Sequence, residues 1–235
     1  MLNYDWHFDR LLAYQDAFLS GVVHTLELSI TLILFSTILG IAVGIFLSRR
    51  RWWTAPLLLV IDLLKGLPPL VLILFGYFAL TADVIGVTVG AFWVFVVTIG
   101  LNVAAFIADL TRASISNVPR EYIEMGHAIG LQRHQLIRFV VFPFAARELV
   151  PPLSFLYVEA IKLTSLASII NVRETVYVAQ TVITNTARSL EVWVLVGVIY
   201  LVLVTPALFA AKALERRFKR EAGVDVAATH GLTND

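Results

Sequence analysis

The chain has 235 residues, of which 59% are hydrophobic and 15% charged, with a mean hydropathy of +0.83. A soluble domain of this length needs far more polar surface, so the composition predicts an all-α polytopic membrane protein. The absence of cysteine excludes a disulfide framework and a thiolate metal site, and a net charge of +1 gives no footing for nucleic acid.

Residues 1–17 carry Asp5, Asp9 and Asp16 against Arg10. They lack the basic start and small-residue cleavage site of a secretory signal, so they read as an extracytoplasmic segment leading into a retained first span. That span is predicted at 18–47, ahead of Arg49, Arg50 and Arg51, and exceeds the roughly 20 residues a bilayer requires. A second, at 55–80, carries Asp62, Lys65 and a break at Gly66-Leu67-Pro68-Pro69. A third, at 84–108, ends at Asp109 and Arg112, and a polar loop follows at about 111–138. The fourth, at 139–163, is interrupted by Arg147, Glu148, Pro151 and Pro152, and the stretch 164–183 is too polar to count as a span. The fifth, at 192–213, closes the transmembrane region (18–218 in all), and 219–235 reads as a flexible cytoplasmic tail.

Five spans put the termini on opposite sides. Arg49, Arg50 and Arg51 fall on one side with Arg112, Arg120, Arg133 and Arg138, and with Lys212, Arg216, Arg217, Lys219 and Arg220. The other side has Arg10, Lys162, Arg173 and Arg188. By the positive-inside rule the N-terminus is outside, the C-terminus inside, and the polar loop cytoplasmic. Trp52, Trp53 and Trp193 stand beside span ends, where interfacial anchoring accounts for them.

Within the loop, Pro119 can open a helix because its missing N–H would be unpaired there anyway. Glu121 and Glu124 suit the positive end of that helix, Ile123, Met125, Ala128 and Ile129 offer an apolar side for packing, and Gly130 is a natural stop. A second helix would begin after Leu131 and run into the fourth span, with Pro143 a few turns on. A solvated connecting helix would read the same way, but a loop near 25 residues is longer than most and often functional.

The order Glu124-Met125-Gly126, then Gly130, Ile137 and Pro143, resembles the EAA loop of ATP-binding-cassette (ABC) importer permeases: Glu-Ala-Ala, three residues, Gly, then a downstream Ile and Leu-Pro. The flanks are similar to those of the polar amino acid (His/Gln/Glu/Arg-type) uptake family. They include Ala105 to Arg112, Ser116 to Pro119, Gly66 to Leu70, Pro151 to Leu153, and Lys162 to Leu166 through Ile170. The resemblance runs from about Gly21 to Phe218. Departures are Met125 and Gly126 for the two alanines, Phe142 for the leucine before Pro143, Leu163 for an aspartate, Leu67 for a threonine, and Glu148 where an apolar residue is usual. Taken alone, Gly126 is expected to loosen its helix by about 1 kcal/mol relative to alanine.

The resemblance implies a permease subunit of the bacterial inner membrane whose coupling loop (Glu121, Glu124, Met125, Gly126, Gly130, Ile137 and Pro143) docks on a cytoplasmic ABC ATPase dimer. It further implies a second permease subunit, identical or homologous, and an extracytoplasmic solute-binding protein. This chain would bind no cofactor; ATP would be used by the ATPase. Two i, i+3 pairs, Asp62 with Lys65 and Glu159 with Lys162, lie at membrane depth, where charges usually face a cavity or a partner. With Thr164 and Ser165 they are the substrate-pathway candidates, with local pairing as the simpler reading. No metal site is expected from the dispersed His7, His24, His127, His134 and His230, and the chain contains no phosphate loop or nucleophile motif. An ion-coupled carrier or channel subunit acting without an ATPase is the rival; it would need its own titrating group, such as Asp62 or Glu148, and no docking loop.

Overall fold

The computed structural model describes residues 6–49, 54–80 and 89–230, with side chains as far as 218; Trp52, Trp53, Arg50, Arg51, Lys219 and Arg220 are therefore outside the side chains it describes. A 3-10 turn at Phe8–Tyr14 leads into α1 (Gln15–Leu47). Then come α2 (Ala55–Gly66), α3 (Pro69–Ala79), α4 (Ala91–Ser116), α5 (Arg120–Ala128) and α6 (Arg133–Leu136). A π-helical turn, Ile137–Val141, joins α6 to α7 (Phe142–Leu163), and a 3-10 stretch, Thr164–Ile170, precedes α8 (Thr175–Thr186) and α9 (Ser189–His230). No strand occurs among the described residues. Among the described residues, four continuous helical runs are long and apolar enough to cross a membrane, and α2 with α3 makes a fifth if that bent pair is one span.

The second span is not continuous. Its halves meet at 110°. Leu67 (ψ 137°) and Pro68 (ψ 133°) are both extended, because each precedes a proline whose ring disfavours the helical conformation in the residue before it. The break leaves carbonyls of α2 without helical partners, and Asn102 of α4 donates its Nδ2 to the Leu64 carbonyl at 2.6 Å. In the fourth span the interruption is elsewhere than expected. Pro151 and Pro152 lie inside an unbroken α7. The irregular turn comes earlier, where the Phe142 N–H bonds five residues back to Ile137 O. Widening the helix there accommodates Pro143, which lacks an N–H and would crowd the carbonyl of Phe139 in a regular helix. Helix α9 continues to His230, through much of the segment expected as a tail.

The core is centred on α1 and α4, where Leu28, Leu32, Phe95, Ile99, Val103 and Ile107 are buried. Bilayer chains supply no hydrophobic drive between helices, so association rests on close packing and polar contacts. Gly40 and Gly44 of α1 supply the closeness. A β-carbon on Gly40 would lie 2.5 Å from Ile107 Cβ and 2.8 Å from Ala104 O; on Gly44 it would lie 2.5 Å from Thr111 Cβ and 2.6 Å from Ala108 O. Near the N-terminus of α1 the stretch excluded as a span packs as α8. Thr175 N–H donates to Thr25 Oγ1 at 3.1 Å, and Glu174 Oε2 and Oε1 accept from Val176 N (2.8 Å) and Tyr177 N (2.9 Å).

Two expectations follow. Gly44→Ala meets backbone oxygen and a Cβ, so it should lower the thermal stability of the detergent-purified chain by about 1–3 kcal/mol despite alanine's better helix propensity. Gly126→Ala meets only the tip of the Leu136 side chain and should change it far less; equal losses would remove the special role of the α1–α4 contact. Glu174, on the connection between α7 and α8, is fully buried, and burial pushes its carboxyl up to about 7 against the opposing hydrogen bonds from Val176, Tyr177 and Tyr200. The folded chain therefore holds a proton that the unfolded chain has released above the ordinary value of 4.5. This contribution to stability is full below 4.5 and lost as pH rises through about 7. Thermal unfolding at about pH 5 and about pH 8 should show a decline that Glu174→Gln flattens.

Candidate coupling loop and charged cluster

Helix α5 begins at Arg120, directly after Pro119, and ends in a left-handed residue, Gly130, at φ 79°. Leu131 N–H donates to Gly126 O (3.0 Å) and Gly130 N–H to His127 O (3.0 Å), the paired bonds of a Schellman stop. Helix α6 then opens with a capping box: Gln132 N–H donates to Gln135 Oε1 at 2.9 Å, and the Gln132 side chain accepts in return. The two short helices join tightly because of these two devices.

Which face of α5 turns inward differs from the apolar side read from the sequence. Gly126 is buried, with a β-carbon there falling 2.4 Å from Leu136 Cδ1 and 3.5 Å from Leu131 Cδ1. The glycine expected to loosen the helix is the point at which α5 seats on α6. Ile123 is half-buried, whereas Met125 is 55% and Ile129 77% exposed. Those two, one turn apart, face outward with Glu121 and Glu124, which are also exposed. Ile137 is exposed on the π turn, and Pro143 follows that turn on the first turn of α7. Asn117 Nδ2 donates to Glu148 Oε1 at 3.2 Å, and the Tyr122 and Phe144 rings lie 6.1 Å apart, so the loop's entry is tied to α7.

The membrane-depth charges fall into two separate groups. Lys65 lies 3.1 Å from Asp62, as the spacing predicts, but 2.9 Å from Asp109 of α4, which also accepts from Arg112 at 2.7 Å. Two acids and two bases thus join the broken span to α4 with no net charge. The sequence marks Asp109 and Arg112 as a span end and part of the flank that resembles the permease family, but the link from Asp109 to Lys65, 44 positions away, has no local signature. Glu159 and Lys162 pair with each other and are exposed. Thr164 is buried and donates to Ile161 O (2.7 Å), and Ser165 donates to Lys162 O (2.8 Å). Their hydroxyl protons are engaged within their own helical run, and no bond among the described residues joins this group to the Lys65 cluster.

Asp109 is 37% exposed and holds two cations, while Asp62 is 70% exposed and holds one. Asp109→Asn should therefore destabilise the chain by about 1–2 kcal/mol more than Asp62→Asn in thermal unfolding. Equal effects would show that the cluster does not join α2 to α4.

Residues 36–220 match the family described as binding-protein-dependent transport system inner membrane component. The glutamine transport system permease protein GlnP of Escherichia coli (strain K12) is 34% identical over 202 residues, covering 86% of this chain and 92% of that protein. The octopine transport system permease protein OccM of Rhizobium radiobacter is 32% identical, covering 80% of each. In fold, the chain superposes on a structure titled "Crystal structure of an amino acid ABC transporter with histidines" with a TM-score of 0.81 at 23% identity, covering 91% of this chain and 100% of that one. The chain belongs to the inner-membrane permease family of binding-protein-dependent transport systems, and is a multi-pass protein of the bacterial inner membrane.

Proposed function

We propose that this permease moves a polar amino acid or amino-acid-like solute inward, driven by a separate cytoplasmic ABC ATPase dimer docked on the loop around α5. The observation that carries the docking reading is the outward pair Met125 and Ile129 beside Glu121 and Glu124. An apolar pair exposed on a charged helix outside the spans has no bilayer to cover it, so it suits a protein groove. Similarity to permeases named for glutamine and octopine supports the solute class. A second permease subunit, identical or homologous, would complete the pathway, and an extracytoplasmic solute-binding protein would deliver the solute. This chain binds no cofactor or metal in the reading, ATP being held by the ATPase, and it is not itself an enzyme.

The loop can transmit force because it is seated at both ends. Motion imposed on α5 reaches α6 through the Gly126–Leu136 contact. It then enters the continuous helical run Arg133–Ile170. Closure of the ATPase on ATP would shift that run between two arrangements, which is what allosteric coupling requires. Glu159, Lys162, Thr164 and Ser165 lie toward the far end of the same run, where its movement would expose or withdraw them; the Asp62–Lys65 pair is held to α4 instead. The family's dependence on binding proteins weighs against an ion-coupled carrier acting alone.

Glu124→Lys reverses a charge on the docking face without touching a buried residue. Membrane insertion should be unchanged, while solute uptake and binding-protein-stimulated ATP hydrolysis by the assembled complex fall about tenfold or more. Undiminished stimulated hydrolysis would remove the docking role. Uptake by proteoliposomes on an ion gradient without ATP would favour the carrier reading.

A further inference from the structure

A groove of about 770 Å³ opens between the C-terminal ends of α1 and α4 and the run from α6 into α7. Its lining is graded along the helix axes. Arg49 lies just beyond the end of α1 and Arg133 at the start of α6, and both border the groove without an ion-pair partner among the described residues. Moving into the membrane from those arginines, the walls become Ile45 and Ile41 on one side and Ile137, Val141 and Phe142 on the other. Arg49 stands eight positions beyond Ile41, a depth of about 12 Å at the helical rise.

A hydroxyl stands between the charged mouth and the apolar depth. Thr111 is 3% exposed, lines the groove, and its Oγ1 has no hydrogen-bond partner among the described residues. It packs against Gly44, about 7 Å deeper than Arg49 along α1. The other two hydroxyls of the lining are engaged with their own helices, Ser48 with Ile45 O and Ser114 with Leu110 O. A buried polar atom left without a partner is unfavourable, so this one marks a place where an acceptor belongs.

Two guanidinium groups without ion-pair partners among the described residues, a lone donor a turn deeper and an apolar floor match a phosphodiester, an ester carbonyl and hydrocarbon in that order. We propose that the groove is a binding site for one anionic phospholipid of the leaflet on the basic side of the membrane. Arg49 and Arg133 hold its phosphate, Thr111 donates to an ester carbonyl, and the acyl chains leave along Ile137, Val141 and Phe142. Basic pockets between transmembrane helices on the cytoplasmic side suit such headgroups, and the volume takes a headgroup with the first carbons of its chains. The site requires only that the chain spans a bilayer. It does not depend on which solute is transported; because Arg133 and Ile137 belong to the loop proposed to dock on the ATPase, the test uses the permease chain alone.

The full chain, delipidated in detergent, is titrated with short-chain phosphatidylglycerol or phosphatidylcholine and the bound lipid counted by native mass spectrometry. Phosphatidylglycerol should bind one per chain and more tightly than phosphatidylcholine. The double variant Arg49→Gln/Arg133→Gln should weaken it about thirtyfold, since about 1 kcal/mol per arginine converts at about 1.4 kcal/mol per tenfold. Ala146→Trp should lower binding with both arginines present, because it fills the lining. Lys212→Gln/Arg216→Gln, on the last helix, should leave binding unchanged. Equal binding of the two lipids, an unaffected arginine double variant, an equal loss in the α9 control, or displacement of the lipid by inorganic phosphate at matched concentration would each overturn the proposal.

Discussion

The approach of α1 to α4 at Gly40 and Gly44 sets the positions of everything on the basic side of the molecule. Ala104 O and Ala108 O lie where the β-carbons of larger residues would be, so no side-chain rearrangement relieves a substitution. The last turns of α4 are thereby fixed beside the end of α1. Those turns carry Asp109, Thr111, Arg112 and Ser114, and they lead within a few residues into the loop. The charged cluster, the groove and the entry to α5 all take their register from this one contact. Larger residues would hold the helices apart, and in lipid little else would draw them together.

The same helix handles the polar groups that the broken second span exposes. Two extended residues before prolines leave the end of α2 with unpaired carbonyls, and in hydrocarbon each such group is expensive. Asn102 answers Leu64, and the last turn of α2 is held to α4 by Lys65 on Asp109. Arg112 completes the neutralisation, so the cluster carries no net charge where a lone ion would be unfavourable. The bend is therefore a built feature, with its backbone, its donor and its counter-charges supplied by separate elements.

Much of this was legible in the sequence where the cause is local. Pro119 and Gly130 bound α5, and Gly66 to Pro69 marks the break, because proline and glycine constrain the backbone within one or two residues. The close approach at Gly40 and Gly44 emerges only once α4 is packed against them. The angle of the break, the link from Lys65 to Asp109 and the burial of Glu174 were not readable, since each depends on what another helix brings. The loop shows the limit most clearly. Its pattern identified an amphipathic helix, but periodicity does not say which side meets the rest of the chain, and Met125 with Ile129 proved to face away.

The identity of residue 126 shows how a local disadvantage can serve the whole. Glycine in an isolated helix is unfavourable by about 1 kcal/mol relative to alanine. Here its missing side chain admits Leu136, which is buried against it, and Leu131 closes over the same point after the Schellman turn. A helix held only by its own hydrogen bonds would fray when pulled. One seated on the start of a 38-residue helical run is braced by it. The two alanines of the pattern it resembles favour the helix itself; here Met125 faces outward and Gly126 gives an inward seat. The chain thus holds this helix by packing at a position where the pattern it resembles has the better helix former.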